Sequence, residues 1–211
     1  TDRLYPGWPR YELTHTNTLV PLDNDRILVS CKAISIIGII RKSDGRWLWK
    51  FGGYEKLGTA HDPSLLSDGN ILVFDNGIWR SDTRFPFSRV IEISPDTDEV
   101  VWCYQDSPPY NFFSPFLSGA SRLPNGNTLI TEGVTGRMFQ VTPEKEIVWE
   151  YINPHFPVNW EGSSIFGKIF PCYEDLLQHK REKRHHHSAE ANCQVCQSPP
   201  RSVPGCDREA V

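Results

Sequence analysis

One pattern recurs along this chain and constrains its fold more than composition can. An apolar segment, a turn rich in Asp, Asn and Gly, and a second apolar segment occur as TNTLVPLDNDRILVSC from Thr16, DPSLLSDGNILVFDNG from Asp62 and ASRLPNGNTLITEG from Ala120. The turns DNDR, SDGN and PNGN supply residues that tolerate positive φ, which tight hairpins require. A second shared pattern follows each copy: IIGIIRKSDGRWLWKF from Ile36, RVIEISPDTDEVVWCY from Arg89 and RMFQVTPEKEIVWEY from Arg137. Each is again strand, polar turn, strand. Trp49, Trp102 and Trp149 fall at matching places and are expected to pack between neighbouring sheets. RVIEI and RMFQV alternate as half-buried strands do.

One repeat is therefore four strands over roughly 45 to 55 residues, the signature of a β-propeller blade. The chain reads as all-β, with about three four-stranded blades and SSIFGKIFPCYEDL (Ser163 to Leu176) starting one further strand pair. A helical reading fails, because turn signals recur too often and no long 3.6-residue period precedes residue 172. Three blades do not close a ring, since four is about the practical minimum. The chain also begins TDRLYPGWPRYELTHTN, with no initiator Met and no signal-peptide pattern. It is therefore expected to be an N-terminally incomplete piece. After residue 176 the composition turns charged, Pro-rich and poor in apolar residues. The expected division is a partial propeller over 1–176 and a disordered polar tail over 177–211.

The 211 residues carry a formal charge of −4, which gives no clustered positive surface for nucleic acid. No apolar run approaches the roughly 20 residues that span a bilayer. Six cysteines do not fix the compartment. Cys31 and Cys103 lie in apolar segments and read as small core residues, while Cys172 follows a Pro in a loop. His185, His186 and His187 with Cys193, Cys196 and Cys206 have metal-ligand chemistry. Their Cys-x-x-Cys lacks a well-spaced second pair, so no metal site is expected.

Four stretches together resemble the arylsulfate sulfotransferase family of β-propeller proteins. They are HTNTLVPLDNDRILVSCKAISIIGIIRKSDGRWLWKFGG from His15, AHDPSLLSDGNILVFDNG from Ala60, FFSPFLSGASRLPNGNTLITEGVTGRMFQVTPEKEIVWEYINPHF from Phe112, and SSIFGKIFPCYEDL. They cover roughly residues 5 to 176. The resemblance implies a six-bladed propeller with its site in the central funnel. It implies transfer of a sulfuryl group from a phenol sulfate to a phenol through a sulfated histidine. Phosphoadenosine phosphosulfate is not needed on that reading, no other cofactor is implied, and the chain holds no P-loop pattern to cradle one. The implied partners are small phenol sulfates and phenols, and the implied location is extracytoplasmic, commonly periplasmic.

By the same resemblance His61 matches the nucleophile, and His15 and Asn17 match a His-x-Asn pair that stabilises charge on the transferring group. Neutral imidazole keeps a lone pair near neutral pH and can form a covalent intermediate. The single residue between His15 and Asn17 puts both side chains on one strand face. The family places an arginine where this chain has Lys32, which keeps the charge but loses the planar two-pronged grip. Asp62 could orient a ring or cap a turn, and the third copy offers only Ser118 and Gly119 at the equivalent place. Asp75, Asn76 and Glu132 end inner strands and read as turn caps before funnel residues. Arg137 reads as a solvated strand-edge residue.

Two other readings stand beside the sulfotransferase. A non-catalytic propeller would use its funnel or top face to bind a ligand or protein, and Lys32 in place of arginine suits it. A quinone-cofactor propeller would show an adjacent Cys pair and tryptophan-rich docking motifs, which this chain lacks.

Overall fold

The computed structural model describes residues 11 and 13–153. Strands β1 (Thr16–Leu22), β2 (Arg26–Cys31), β3 (Ile36–Arg41) and β4 (Trp47–Gly52) pair in sequence order as one antiparallel sheet. A second sheet holds β5 (His61–Leu65), β6 (Ile71–Asp75), β7 (Arg89–Ser94) and β8 (Glu99–Tyr104). A third holds β9 (Gly119–Arg122), β10 (Thr128–Glu132), β11 (Arg137–Val141) and β12 (Ile147–Ile152). There is no α-helix among the described residues. The fold is all-β, three successive blades of a β-propeller, as the repeat implies. The expected strand pair at Ser163–Leu176, the polar tail and its His and Cys residues, and Cys172 lie outside the described residues.

The hairpin turns form as their residues dictate. Asn24 and Asp25 take φ of 57° and 61°, and Gly69 and Gly126 take 91° and 87°. In the second and third turns an Asx side chain accepts the backbone N–H two residues on: Asp68 from Asn70 at 3.0 Å and Asn125 from Asn127 at 3.1 Å. Such local bonds stabilise the turn before any partner strand arrives.

Packing between blades supplies the core. Leu28, Ile37, Ile39 and Phe51 of the first sheet meet Ile71, Val73, Ile91 and Ile93 of the second. Leu72, Phe74, Val90 and Tyr104 meet Ala120, Ile130, Phe139 and Val141 of the third, around Phe112 from the connecting segment. Phe112 presents edges to Phe74, Tyr104 and Phe139 at centroid distances of 5.5, 5.6 and 5.6 Å. The second sheet is thus covered on both faces. This is why β7, read as half-buried from its alternation, buries Val90, Ile91, Glu92 and Ile93. Glu92 is balanced there by Arg122 at 2.6 Å.

The tryptophans follow the same logic. Trp49 donates its indole N–H to Asp98 of the second sheet at 2.7 Å, and Trp102 donates to the Pro143 carbonyl of the third at 2.8 Å. Trp149 departs from the expectation. It is 44% exposed and stacks on Tyr151, because no following sheet covers it among the described residues. In every sheet the outer ladder skips one residue just before the tryptophan, namely Leu48, Val101 and Val148. The repeated bulge sharpens the local twist and aims each indole.

Buried ion pairs fasten the strand ends. Asp75, at the end of β6, accepts from Gly58 N, Arg80 Nη1 and Arg89 Nε at 2.7, 2.8 and 2.8 Å. Glu132 holds the equivalent place in the third sheet and pairs with Arg137 at 3.2 Å. Arg137 is therefore not a solvated edge residue. Its guanidinium lies 4.0 Å from the Phe139 ring centroid, between Glu132 and Glu150. Cys31 is buried and Cys103 half-buried, in keeping with a core role. No helix among the described residues is long and apolar enough to cross a membrane.

Candidate active site

The inner strands β1, β5 and β9 approach one another, with β5 contacting both of the others. Two of them are irregular at this approach. The β1–β2 ladder slips between Thr16 and Thr18, leaving Asn17 as an extra residue. The β5–β6 ladder slips between His61 and Ser64, taking Asp62 and Pro63 out of register. Bulges redirect side chains and collect beside functional sites. β9 runs in regular register and carries only small residues, Gly119 and Ala120, at its start.

His61 opens β5, and its ring is held at one nitrogen. Nδ1 lies 2.7 Å from Asn76 Oδ1 and 3.1 Å from the Thr59 carbonyl. Asn76 is itself fixed, since its Nδ2 donates to the Ser114 carbonyl at 2.7 Å. Ser114 belongs to the segment leading into the third sheet. Its N–H donates to Ser88 Oγ at 2.9 Å, and Ser88 Oγ in turn donates to the Asn76 carbonyl at 2.9 Å. Ser118 joins this network through Ser114 Oγ at 2.8 Å.

Lys32 opens a short 3-10 turn, Lys32–Ile34, directly after β2. Its Nζ stands 5.8 Å from the centroid of the Phe116 ring, so the side chain bridges the first sheet and the loop before the third. The backbone N–H groups of Lys32 and Ala33 donate to the carbonyls of His15 and Thr14 at 3.2 and 3.0 Å. This pins the segment ahead of β1 against the turn. His15 lies outside β1 with φ of 42°, and Asn17 sits in the bulge. Strand alternation therefore does not relate the two residues, contrary to the reading from their spacing.

Asn17 contacts the backbone just ahead of His61. Its Nδ2 donates to the Ala60 carbonyl at 3.0 Å, an acceptor shared with Ser30 Oγ at 2.8 Å. Asn17 Oδ1 is buried and has no hydrogen-bond partner. Asp62 turns toward the neighbouring sheet, where its carboxylate accepts the Ala120 N–H. A Cβ at position 119 would collide with that carboxylate, so glycine there makes room for it. The His61 ring is oriented by Asn76 and Thr59, not by Asp62.

Burial lowers the His61 pKa below its ordinary value of 6.5, and the electrostatic interactions with Lys32 and His15 act in the same direction. The bonds to Asn76 and Thr59 oppose this and do not cancel it. The ring is consequently neutral at pH 7. The sign for stability follows from linkage. Above about 6.5 the ring is neutral folded and unfolded, and contributes no pH slope. Below that value the unfolded chain takes up the proton first, so folding loses stability as pH falls. Urea unfolding between pH 7 and 5 is expected to show this slope, and His61→Gln to flatten it. A His61 titration midpoint at or above 6.5 by NMR would overturn the assignment.

The structure thus gathers His61, with Lys32 and His15 close enough to act on it electrostatically, and with Asn17 on the preceding carbonyl. Ser114 and Phe116 join the cluster without having been singled out in the sequence, and Asn76, read there as a turn cap first and a funnel residue second, joins it as well. Asn76 had a visible signal, since the FDNG stretch ends a strand next to the strand that His61 opens.

The sequence profile of a family described as arylsulfotransferase (ASST) matches residues 7–154. No curated protein matches the chain in sequence. Among solved structures, a protein of unknown function from Bacteroides caccae matches with TM-score 0.48 and 19% identity, over 70% of this chain and 47% of its own. A catalytically inactive virginiamycin B lyase from Staphylococcus aureus matches with TM-score 0.47 and 15% identity, over 68% and 43%. The WD40 β-propeller domain of Doa1 matches with TM-score 0.40 and 13% identity, over 56% and 33%. The chain spans less than half the length of each of these structures.

Proposed function

Because the chain belongs to the arylsulfotransferase family, we propose that it carries the nucleophile-bearing part of a propeller that moves a sulfuryl group between phenols. The observation that carries the reading is the His61 ring, neutral at pH 7 and committed at Nδ1 to two acceptors. The lone pair then resides on Nε2. That atom attacks the sulfur of a phenol sulfate, the N–S bond forms, and the S–O bond to the aryl group breaks. The departing phenolate takes a proton from the site. In the second half an acceptor phenol gives a proton up, its oxygen attacks the sulfur, and the electron pair of the N–S bond returns to Nε2. Splitting the transfer this way replaces one high barrier by two lower ones.

Lys32 supplies positive charge where sulfuryl and phenolate oxygens gather negative charge, and the His15 ring and the Asn17 amide add hydrogen-bonding groups at the same place. Arylsulfotransferases act on phenols and sulfate esters and are typically extracytoplasmic. We place this protein outside the cytoplasm, commonly the periplasm, on that ground. No nucleotide sulfate donor enters the scheme.

The test is a phenol sulfate donor supplied without acceptor, followed by peptide mass spectrometry of the protein. One SO3 group on the peptide containing His61 is the expected result. Binding of the donor with neither adduct nor turnover would replace this reading by the non-catalytic one.

A further inference from the structure

We infer that Asn76 is a positioning residue that holds His61 in the Nδ1–H tautomer and stabilises the positive ring formed when Nε2 is sulfated. The mechanistic half of this inference rests on His61 being the nucleophile, whereas the tautomer itself does not.

A neutral imidazole places its one proton on either nitrogen, and the partner groups decide which. A primary amide offers both a donor and an acceptor, so Asn76 would suit either tautomer if it could flip. It cannot flip freely. Its Nδ2 donates to the Ser114 carbonyl at 2.7 Å, and a carbonyl cannot donate to Oδ1 in exchange. That leaves Oδ1 facing Nδ1 at 2.7 Å, as an acceptor only. The Thr59 carbonyl at 3.1 Å is a second acceptor on the same atom. A proton on Nε2 would leave Nδ1 as a lone pair against two oxygen lone pairs, a repulsive arrangement in a half-buried site.

The orientation is over-determined from behind. Asn76 is fully buried, its own carbonyl accepts from Ser88 Oγ, and Ser88 Oγ accepts the Ser114 N–H. Ser88 and Ser114 are fully buried too. The amide is therefore clamped at both its side chain and its backbone by elements of two blades. This clamp performs no chemistry on the substrate. It acts through His61.

The same clamp has a second use. When Nε2 of a Nδ1–H imidazole forms a bond to sulfur, the proton stays on Nδ1 and the ring becomes cationic, balanced by the sulfonate. Lys32 and His15 oppose a positive ring, as they already oppose protonation of His61. Asn76 Oδ1 and the Thr59 carbonyl are the groups that favour it. A cationic ring is also the better leaving group in the second transfer. The cluster divides the work: the Lys32 cation faces the oxygens, and oxygens face the ring.

The experiment uses the whole protein labelled with 15N-histidine, the His61 signals being identified by their loss in His61→Gln. Two-bond 1H–15N correlations read the tautomer directly. The wild type is expected to show Nδ1–H. Asn76→Leu removes the acceptor and is expected to move the ring to a mixture in which Nε2–H is a major form. Asn76→Asp restores an acceptor, now charged, and is expected to recover Nδ1–H and raise the His61 titration midpoint. With phenol sulfate as probe, Asn76→Leu should lower kcat about tenfold to a hundredfold with KM nearly unchanged, and Asn76→Asp should recover part of it at higher pH.

An Nε2–H wild type, or an unchanged tautomer in folded Asn76→Leu, overturns the inference. If Asn76→Leu does not fold, Asn76→Asp decides, because an unmoved midpoint overturns it equally. The expected tautomer pattern in a protein that never becomes sulfated would leave the positioning role standing and remove the transferase.

Discussion

His61→Ala is expected to abolish the sulfated intermediate and lower transfer between phenols by about 10³-fold or more, the scale on which loss of a covalent nucleophile is felt. The loss should fall on kcat, since on the proposed mechanism the residue acts on the reacting sulfur and contributes little to holding the aryl group. Fold should survive. His61 is half-buried at the edge of β5, and the core clusters do not include it. Retained amide dispersion with no adduct is the expected pair of results. Lys32→Ala provides the contrast. On the proposed mechanism it leaves the nucleophile in place and removes the charge facing the sulfuryl oxygens, so transfer should slow without stopping. Lys32→Arg should restore or exceed the wild-type rate, because a planar fork grips two oxygens together. Normal turnover by His61→Ala would dismiss the assignment.

Asp75→Ala is expected to destabilise the chain by about 3–5 kcal/mol, because it strands buried cations. The carboxylate and the Arg80 side chain are both fully out of solvent. Arg80 would keep Asp82 on its Nε at 2.6 Å, but its Nη1 would lose its partner, and its Nη2 is already buried without one. Arg89 Nε and the Gly58 N–H would lose their acceptor as well, Arg89 keeping the Lys56 carbonyl on Nη2. Against the 5–15 kcal/mol of a typical domain such a loss is decisive. A urea midpoint shift without a change in slope is the measurement. Exchanging Asp75 and Arg80 together for apolar residues of similar volume should cost far less, since no charge is then left alone. A small effect of Asp75→Ala would show that water reaches this cluster.

Strand order, hairpin turns and blade count were legible in the sequence because they rest on local chemistry. Positive φ at Asn24, Gly69 and Gly126 is written into the turn residues, and the tryptophan spacing marks each outer strand. What escaped depends on pairing between distant segments. The bulges at Asn17 and at Asp62–Pro63 have no sequence mark, since a slip in register is visible only against the partner strand. This is why the spacing of His15 and Asn17 misled. Arg137 was misread for a related reason. Glu132 lies five residues away, and only the antiparallel hairpin sets the two side by side. His61 was singled out through family resemblance, not through any local pattern. Asn76 was in view as a strand end, but its partner Ser114 is 38 residues further on. Ser114 and Phe116 sit in a connecting segment with no period to draw notice.

The cluster around His61 is divided among the three blades. Lys32 comes from the first sheet, His61 and Asn76 from the second, and Ser114 and Phe116 from the approach to the third. No single blade holds a working set. Competence is therefore a quorum property, reached only once neighbours have docked. A chain caught half-assembled would own a histidine with the wrong proton and a lysine with nothing to face, and so would be chemically silent until its joints had closed. The same arrangement makes small slippage between sheets more damaging to chemistry than to cohesion. Trimming Phe112, which wedges the second and third sheets two residues ahead of Ser114, is expected to disturb the ring as well as the cohesion of the sheets.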